Sequence, residues 1–445
     1  MPFKYNPPTR FSCGVCNELL KSRDLPIVDS YSGRSSSSED YPIHNWFYFV
    51  LGYSPRFPEY ILNSEKINSE KIILDPFMGT GTTLVTCKQK GINSFGIDAN
   101  DFFVEVADTK LDWEIEFDEF KENIDNFLES LIFHFEKIDF SQNSSYVRET
   151  LSLRPLNLSG RYISDIPFAK LFFIKKFINE FGFSEKIFKK IKLCLNSIIV
   201  PSSNIRYGPG FGVGKIKGDE DVLGLFKKKI LRMGLDIKNL ENKSRSCNSE
   251  VSLFDSRKLD DLYDKNSIDY LITSPPYPGD HEYTKHTRLE LMFNEIANSV
   301  QEFRVIKKRM IRGSTTNIYK EDFDRKFVKD FESIKLITDL IDKRLKEDNA
   351  TSGFEKLYVK LVWEYFGGMS IHFQKTLKVL KPGGKYFLLV GDSHAFKMVH
   401  IQTAKILSEI ALSIGYSGAE IILWQNKFSS SHKYLLREDI LVLTK

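Results

Sequence analysis

The chain has 445 residues, 42% of them hydrophobic and 27% charged, with a net charge of +4. A chain of this length buries a large core and is expected to hold more than one domain or a large insertion. No apolar stretch approaches the roughly 20 residues that span a bilayer, and the opening Met-Pro-Phe-Lys lacks the apolar core of an export signal. The expectation is a cytoplasmic protein with no membrane partner. Five cysteines make no disulfide framework at this length. Cys13 and Cys16 have metal-knuckle spacing, but a structural zinc needs a second such pair and none follows. No metal is expected.

Seven β-rich segments are predicted in chain order, at about 71–75, 94–98, 250–254, 268–273, 385–391, 418–424 and 438–444. Several, such as Phe387-Leu388-Leu389-Val390, are continuous apolar runs, which suits parallel strands covered on both faces. Helical spacing follows the first strand (Leu84 to Lys90) and precedes the sixth (Thr403 to Ile414). This alternation predicts a doubly wound α/β domain. Two stretches break the rhythm. Residues 113–249 read as helical, over Phe117–Ile138 and Phe168–Ile199, with a glycine-rich loop at Tyr207–Gly214. Residues 295–365 read as charged and helical. The chain is thus divided into 1–112, an insertion 113–249, and 250–445 carrying the second insertion. Residues 141–250 hold 20 Lys and Arg against 10 Asp and Glu, while the remainder carries −6. Such a basic block fits a polyanion-binding module, or a solvated helical surface.

The first predicted strand runs into Asp75-Pro76-Phe77-Met78-Gly79-Thr80-Gly81-Thr82-Thr83. Glycines here let the backbone turn and approach a ligand. The next strand ends at Asp98, 17 residues after Gly81, where a carboxylate can accept both ribose hydroxyls of a nucleoside cofactor. A dinucleotide site would want a third glycine where Thr82-Thr83-Leu84 stands. A phosphate loop would want Gly-Lys-Ser/Thr, which is absent. Asp75 would repel phosphate and suits a cationic cofactor. The fourth predicted strand runs into Ser274-Pro275-Pro276-Tyr277. Together the two motifs resemble the amino-methyltransferases of DNA, over about residues 41–110 and 250–445.

That resemblance implies a seven-stranded Rossmann-like methyltransferase sheet and S-adenosylmethionine, whose sulfonium and ammonium suit Asp75. Phe77, Gly79, Gly81, Thr82 and Asp98 would bind it. Asp255 would meet its adenine, and the aromatic stretch ending at Phe57 would cover its methionine end or pack as a buried aromatic helix. Exocyclic amines are poor nucleophiles because their lone pair is delocalised into the ring. In the family, the first motif side chain and the second motif carbonyl accept the two N–H groups. Here these are Ser274 and Pro275, with the two prolines fixing φ so that the carbonyl is pre-aimed. Tyr277 offers a face to a base swung out of the duplex. His281 and Glu282 are expected to shape the loop or touch DNA. Methylation at C5 would need a Pro-Cys nucleophile, which is absent.

In the family, Ser at the first position is commoner in N4-cytosine enzymes and Asp in N6-adenine enzymes. The resemblance therefore implies a site-specific N4-cytosine methyltransferase of a restriction–modification system, with N6-adenine methylation as the alternative. A methyltransferase-like DNA-binding subunit without activity is the reading from another class. Guanine-N2 enzymes of RNA usually carry Asp or Asn before Pro-Pro. The cofactor motif precedes the catalytic one, unlike the commoner N4 order. Duplex DNA is the expected partner, with Arg206, Lys215 and Lys217 as candidate phosphate or base contacts. A cognate restriction endonuclease is the functional partner. Asymmetric insertions suggest a monomer.

Overall fold

The computed structural model describes residues 20–24, 41–113, 115–207, 211–240, 247–429 and 434–445. Cys13, Cys16, the serine run 35–38, Gly208, Gly210 and residues 430–432 lie outside them. The strands are β1 (Leu20–Asp24), β2 (Ile72–Asp75), β3 (Asn93–Asp98), β4 (Ile205–Tyr207), β5 (Phe211–Val213), β6 (Ser249–Leu253), β7 (Ile268–Thr273), β8 (Leu380–Gly391), β9 (Gly418–Ser429) and β10 (Tyr434–Thr444). All seven predicted strands lie in one sheet, joined at its edge by β1, in the order β1-β9-β10-β8-β7-β2-β3-β6. The pairs β8–β7, β7–β2, β2–β3 and β3–β6 are parallel, and β10 runs antiparallel between β8 and β9.

The apolar runs explain the central strands. Successive residues face opposite sides of a sheet. Leu74, Leu271 and Leu388 enter one core, while Ile73, Ile272 and Leu389 enter the other. Both faces are covered, as continuous apolar runs require. The chain moves from β2 outward through β3 and β6, then returns to β7 and moves outward the other way to β8. The carboxyl ends of β2 and β7 therefore flank the point where the strand order reverses, which is where open α/β sheets bind ligands.

Residues 113–249 hold mostly helices, and the stretch Phe168–Ile199 is two of them, Asp165–Glu180 and Glu185–Ile199, parted at Gly182 with φ 85°. Part of the expected glycine-rich loop pairs as the short hairpin β4–β5. These helices share one apolar core with the helix Asp101–Leu111 and with Leu289, Met292 and Phe293. Asp236, buried on the insertion's last helix (Val222–Leu240), accepts from the backbone N–H of Ile43 and the indole N–H of Trp46, both at 3.1 Å. The insertion is thereby fastened to the segment preceding Tyr53.

The second insertion runs into the helix Tyr358–Val379, which is the crossover from β7 to β8. A helical glycine costs about 1 kcal/mol relative to alanine, yet this helix carries Gly367 and Gly368. At Gly367 an added Cβ would stand 2.3 Å from the backbone C and O of Asp324 and 2.6 Å from the N of Arg325. Backbone cannot swing away as a side-chain tip can. Overpacking of this kind costs about 1–3 kcal/mol and outweighs the gain in helix propensity. Gly367→Ala is therefore expected to lower stability by about 1–2 kcal/mol, measured by urea denaturation. Equal or greater stability would show that the contact relaxes freely.

Candidate active site

A cleft of about 270 Å³ opens over the carboxyl ends of the central strands. That is just below the usual range of roughly 300–1,000 Å³ for small-molecule sites. Its floor is the turn after β2, with Phe77, Gly79 and Thr82, and the tip of β3 at Asp98. The segment Phe49–Ser54 and Phe57 form one wall; Arg309, Met310 and Ile311, from the second insertion, form another. Ser274, Pro276 and Tyr277 enter from β7. Leu389, Gln425, Lys427 and Glu438 enter from β8, β9 and β10.

The turn after β2 is built on two left-handed glycines. Gly79 has φ 51°, and a Cβ there would meet nothing within 4 Å, so its backbone borders open space. Gly81 has φ 82°, and its Cβ would come 3.1 Å from that of Ala107. Gly81 therefore serves the turn and the approach of a neighbouring helix, and it does not line the cleft. Asp98 accepts from the backbone N–H of Gly79 at 3.0 Å and of Asn100 at 2.8 Å. Burial raises its pKa to about 6, against those two N–H groups, which lower it.

Asp75 plays a different part from the one its sequence position suggests. It is fully buried and does not line the cleft. Its carboxylate accepts from the Tyr53 hydroxyl at 2.7 Å, the Thr273 hydroxyl at 2.5 Å and the Phe77 backbone N–H at 3.1 Å. Tyr53 also meets the Thr83 hydroxyl at 2.6 Å. Burial raises the Asp75 pKa to about 6, opposed by these hydrogen bonds. Asp255 likewise turns away: it accepts from Nη2 of the Arg257 guanidinium at 2.7 Å, while Nη1 of the same group donates to Asp324 at 2.9 Å. Its neighbours Phe254 and Ser256 line the cleft instead.

At the catalytic motif, the Ser274 hydroxyl donates to the Leu389 carbonyl at 3.0 Å and lies 3.2 Å from the Tyr277 hydroxyl. Tyr277 reaches Glu438 at 3.3 Å. Burial, then the neighbouring Glu438, raises the Tyr277 pKa. The Tyr277 ring lies over Gly391, where a Cβ would stand 3.1 Å from it. The Pro276 carbonyl is held by the Tyr365 hydroxyl at 2.8 Å. Pro275 does not line the cleft. Downstream, His281 and Glu282 line the cleft. Buried Glu282 pairs with Lys307 at 3.1 Å and caps its own turn through the Thr284 N–H at 2.9 Å.

None of the three basic residues expected at DNA lines this cleft. Arg206 and Lys215 are exposed on or beside the β4–β5 hairpin. Lys217 is engaged with the Pro201 carbonyl at 2.5 Å and Glu220 at 3.3 Å. Sequence reasoning missed Tyr53, Gln425, Lys427 and Glu438. Tyr53 lay in the aromatic string ending at Phe57, but no local pattern assigned it to Asp75. Among the described residues, no His, Cys, Asp and Glu cluster has a metal-binding arrangement, and no helix is long and apolar enough to cross a membrane.

Residues 31–109 match the model of a family described as DNA methylase, of the N6/N4 methyltransferase type. The chain is 24% identical to the type II methyltransferase M.BsoBI of Geobacillus stearothermophilus, over 91% of this chain and 84% of that one. It is 22% identical to the type II methyltransferase M.AvaI of Nostoc sp. PCC 7120, with the same coverage. It is 28% identical to the type II methyltransferase M.MjaII of Methanocaldococcus jannaschii, over 52% of this chain and 58% of that one. A strand order that opens a ligand cleft at its reversal point, together with relatives aligned along nearly the whole length, supports a DNA amino-methyltransferase of the restriction–modification type.

Proposed function

We propose that the chain methylates the exocyclic N4 of cytosine at a specific site in duplex DNA, using S-adenosylmethionine. The observation that carries this reading is the Ser274 hydroxyl: with its proton directed at the Leu389 carbonyl, its lone pairs are left to accept from an amine. Accepting an N–H there draws the amine toward tetrahedral geometry; the resemblance assigns the second acceptor to the Pro275 carbonyl, which does not line the cleft in this structure and would have to turn toward a bound base. Orientation and proximity then carry most of the rate. Tyr277, with its hydroxyl tied back to Glu438, holds a flat face for a flipped base. Protection of the host's own sites against a cognate endonuclease is the corresponding cellular role.

The residues of the cleft fit the cofactor. Gly79 leaves backbone beside open space, and Asp98 holds a carboxylate at the end of β3, where ribose hydroxyls can donate to it. The aromatic wall of Phe49, Tyr53 and Phe57 suits the methionine end, and Phe77 and Phe254 suit the adenine. When bound, S-adenosylmethionine supplies an electrophilic methyl on a cationic sulfur. Asp75 contributes at one remove, by fixing Tyr53 and Thr273. For DNA, the basic surplus of residues 141–250 is the candidate contact region, with Arg206, Lys215 and Lys217 along its hairpin. Reading sequence there would leave 41–112 and 250–445 to perform the transfer.

Two measurements test this reading. Nucleosides from the DNA of a methylation-free host expressing the chain are expected to contain N4-methylcytosine by mass spectrometry. Ser274→Ala should lower purified transfer activity by about 100-fold or more while leaving DNA binding intact. N6-methyladenine instead would overturn the base assignment, and wild-type DNA without either product would return the chain to a binding role. The second measurement concerns pH. With its pKa near 6 in the free protein, Asp98 is ionised and able to accept ribose hydroxyls above that pH. S-adenosylmethionine affinity should fall by up to about tenfold per unit below pH 6. Asp98→Asn should bind weakly and lose most of this dependence. Unchanged affinity from pH 7.5 to 5 would exclude the role.

A further inference from the structure

Glu438 has so far entered only as the anchor of the Tyr277 hydroxyl, yet it is one of the most enclosed carboxylates at the cleft, 3% exposed on β10. It is matched in register with Gln425 on β9 and Gly391 on β8, so the three form one row across the sheet. The pairing shifts immediately after it, between Glu438 and Asp439. Such irregularities re-aim side chains beside functional sites. Gly391 leaves room for the Tyr277 ring to cross the row and reach Glu438. Glu438 also takes the amide N–H of Gln425 and the ammonium of Lys427, the latter at 2.5 Å. Both donors line the cleft. A glutamine amide has two N–H groups and an ammonium three. Holding one from each on Glu438 leaves the others free to be presented.

We propose, building on the N4-cytosine reading, that Gln425 and Lys427, anchored on Glu438, form a donor edge that hydrogen-bonds the ring carbonyl O2 of the flipped cytosine and so rejects adenine. When the amino groups of the two bases are superposed on Ser274, cytosine N3 and adenine N1 coincide as acceptors. The third position differs: cytosine shows the O2 acceptor and adenine a C2–H. A donor aimed at that position is satisfied by cytosine and left unpaired by adenine. Sites built around such a hydrogen bond discriminate strongly against the analogue that lacks it. Gln425 and Lys427 are the specificity contacts; Glu438 is a positioning residue that acts through them and through Tyr277.

The test uses the full-length protein and duplexes carrying its site, mapped by long-read sequencing of the host DNA. The target is either cytosine or a 2-aminopyridine C-nucleoside, which keeps the ring nitrogen and amino group and replaces O2 by hydrogen. Wild type is expected to lose at least about tenfold in kcat/KM on the analogue. Gln425→Leu/Lys427→Met should lose a similar factor on cytosine and show no further loss on the analogue. Glu438→Gln should fall between them, with its loss also absent on the analogue. Equal wild-type rates on both duplexes would overturn the proposal, and so would a folded double variant that still distinguishes them. Should the variants fail to fold, the wild-type comparison decides alone. Failure of the underlying base assignment is seen separately, as absence of N4-methylcytosine from the host DNA.

Discussion

The cleft depends on one buried carboxylate. Asp75 is inaccessible to water and accepts hydrogen bonds from three places: the turn just after it, the last residue of β7, and the hydroxyl of Tyr53. Burying an ionised carboxylate is costly unless its oxygens are satisfied, and removing one partner would leave the others facing an incompletely paired group. That penalty gives the arrangement its rigidity. Thr273 immediately precedes Ser274, and Tyr53 sits in the wall of the cleft. The spacing between the glycine turn after β2, the Pro-Pro loop after β7 and the aromatic wall is thus set by a single side chain that does not itself line the cleft.

The same logic extends outward. Asp236 gathers Ile43 and Trp46 as Asp75 gathers Tyr53 and Thr273. Lys110, buried on the helix after β3, donates to the carbonyls of His44 at 2.9 Å and Phe47 at 3.1 Å. The aromatic segment in front of β2 has little regular secondary structure of its own, only the 3-10 turn His44–Trp46. Its shape is imposed by charged groups from elements that follow it in the chain. Helices of residues 113–249 consequently share one apolar core with the helix Asp101–Leu111 and with Leu289, Met292 and Phe293.

What was legible in the sequence was whatever depends on neighbours along the chain. Central strands declared themselves because both faces need apolar residues, and the helix Thr403–Ile414 appeared within the limits its spacing implies. The glycine turn and the Pro-Pro loop were legible because left-handed φ and fixed φ leave few residue choices. What was not legible depends on partners far away. Asp75 read as a cofactor ligand because its hydrogen bonds come from 22 residues upstream and 198 downstream. Asp255 read as an adenine contact because Arg257, two residues on, folds back onto it in a way that no strand pattern announces. Gly81 read as a ligand glycine, although its lack of a side chain admits Ala107. Glu438 sits in an ordinary terminal strand and acquires meaning only when β8, β9 and β10 are laid side by side.

The identity of residue 274 follows from that lateral arrangement as well. The Leu389 carbonyl stands 3.0 Å from its side-chain oxygen, and Tyr277 links it to buried Glu438. An ionised carboxylate at 274 is acceptor-only. It would face a carbonyl oxygen with no proton between them and would add a negative charge close to the buried Glu438 carboxylate, an unfavourable like-charge approach. A hydroxyl avoids both problems: it donates to Leu389 and still has lone pairs for an amine. Serine in this motif is therefore matched to its setting on β8 and β10. An aspartate variant would need a donor in place of that carbonyl contact before it could work as an acceptor for the substrate.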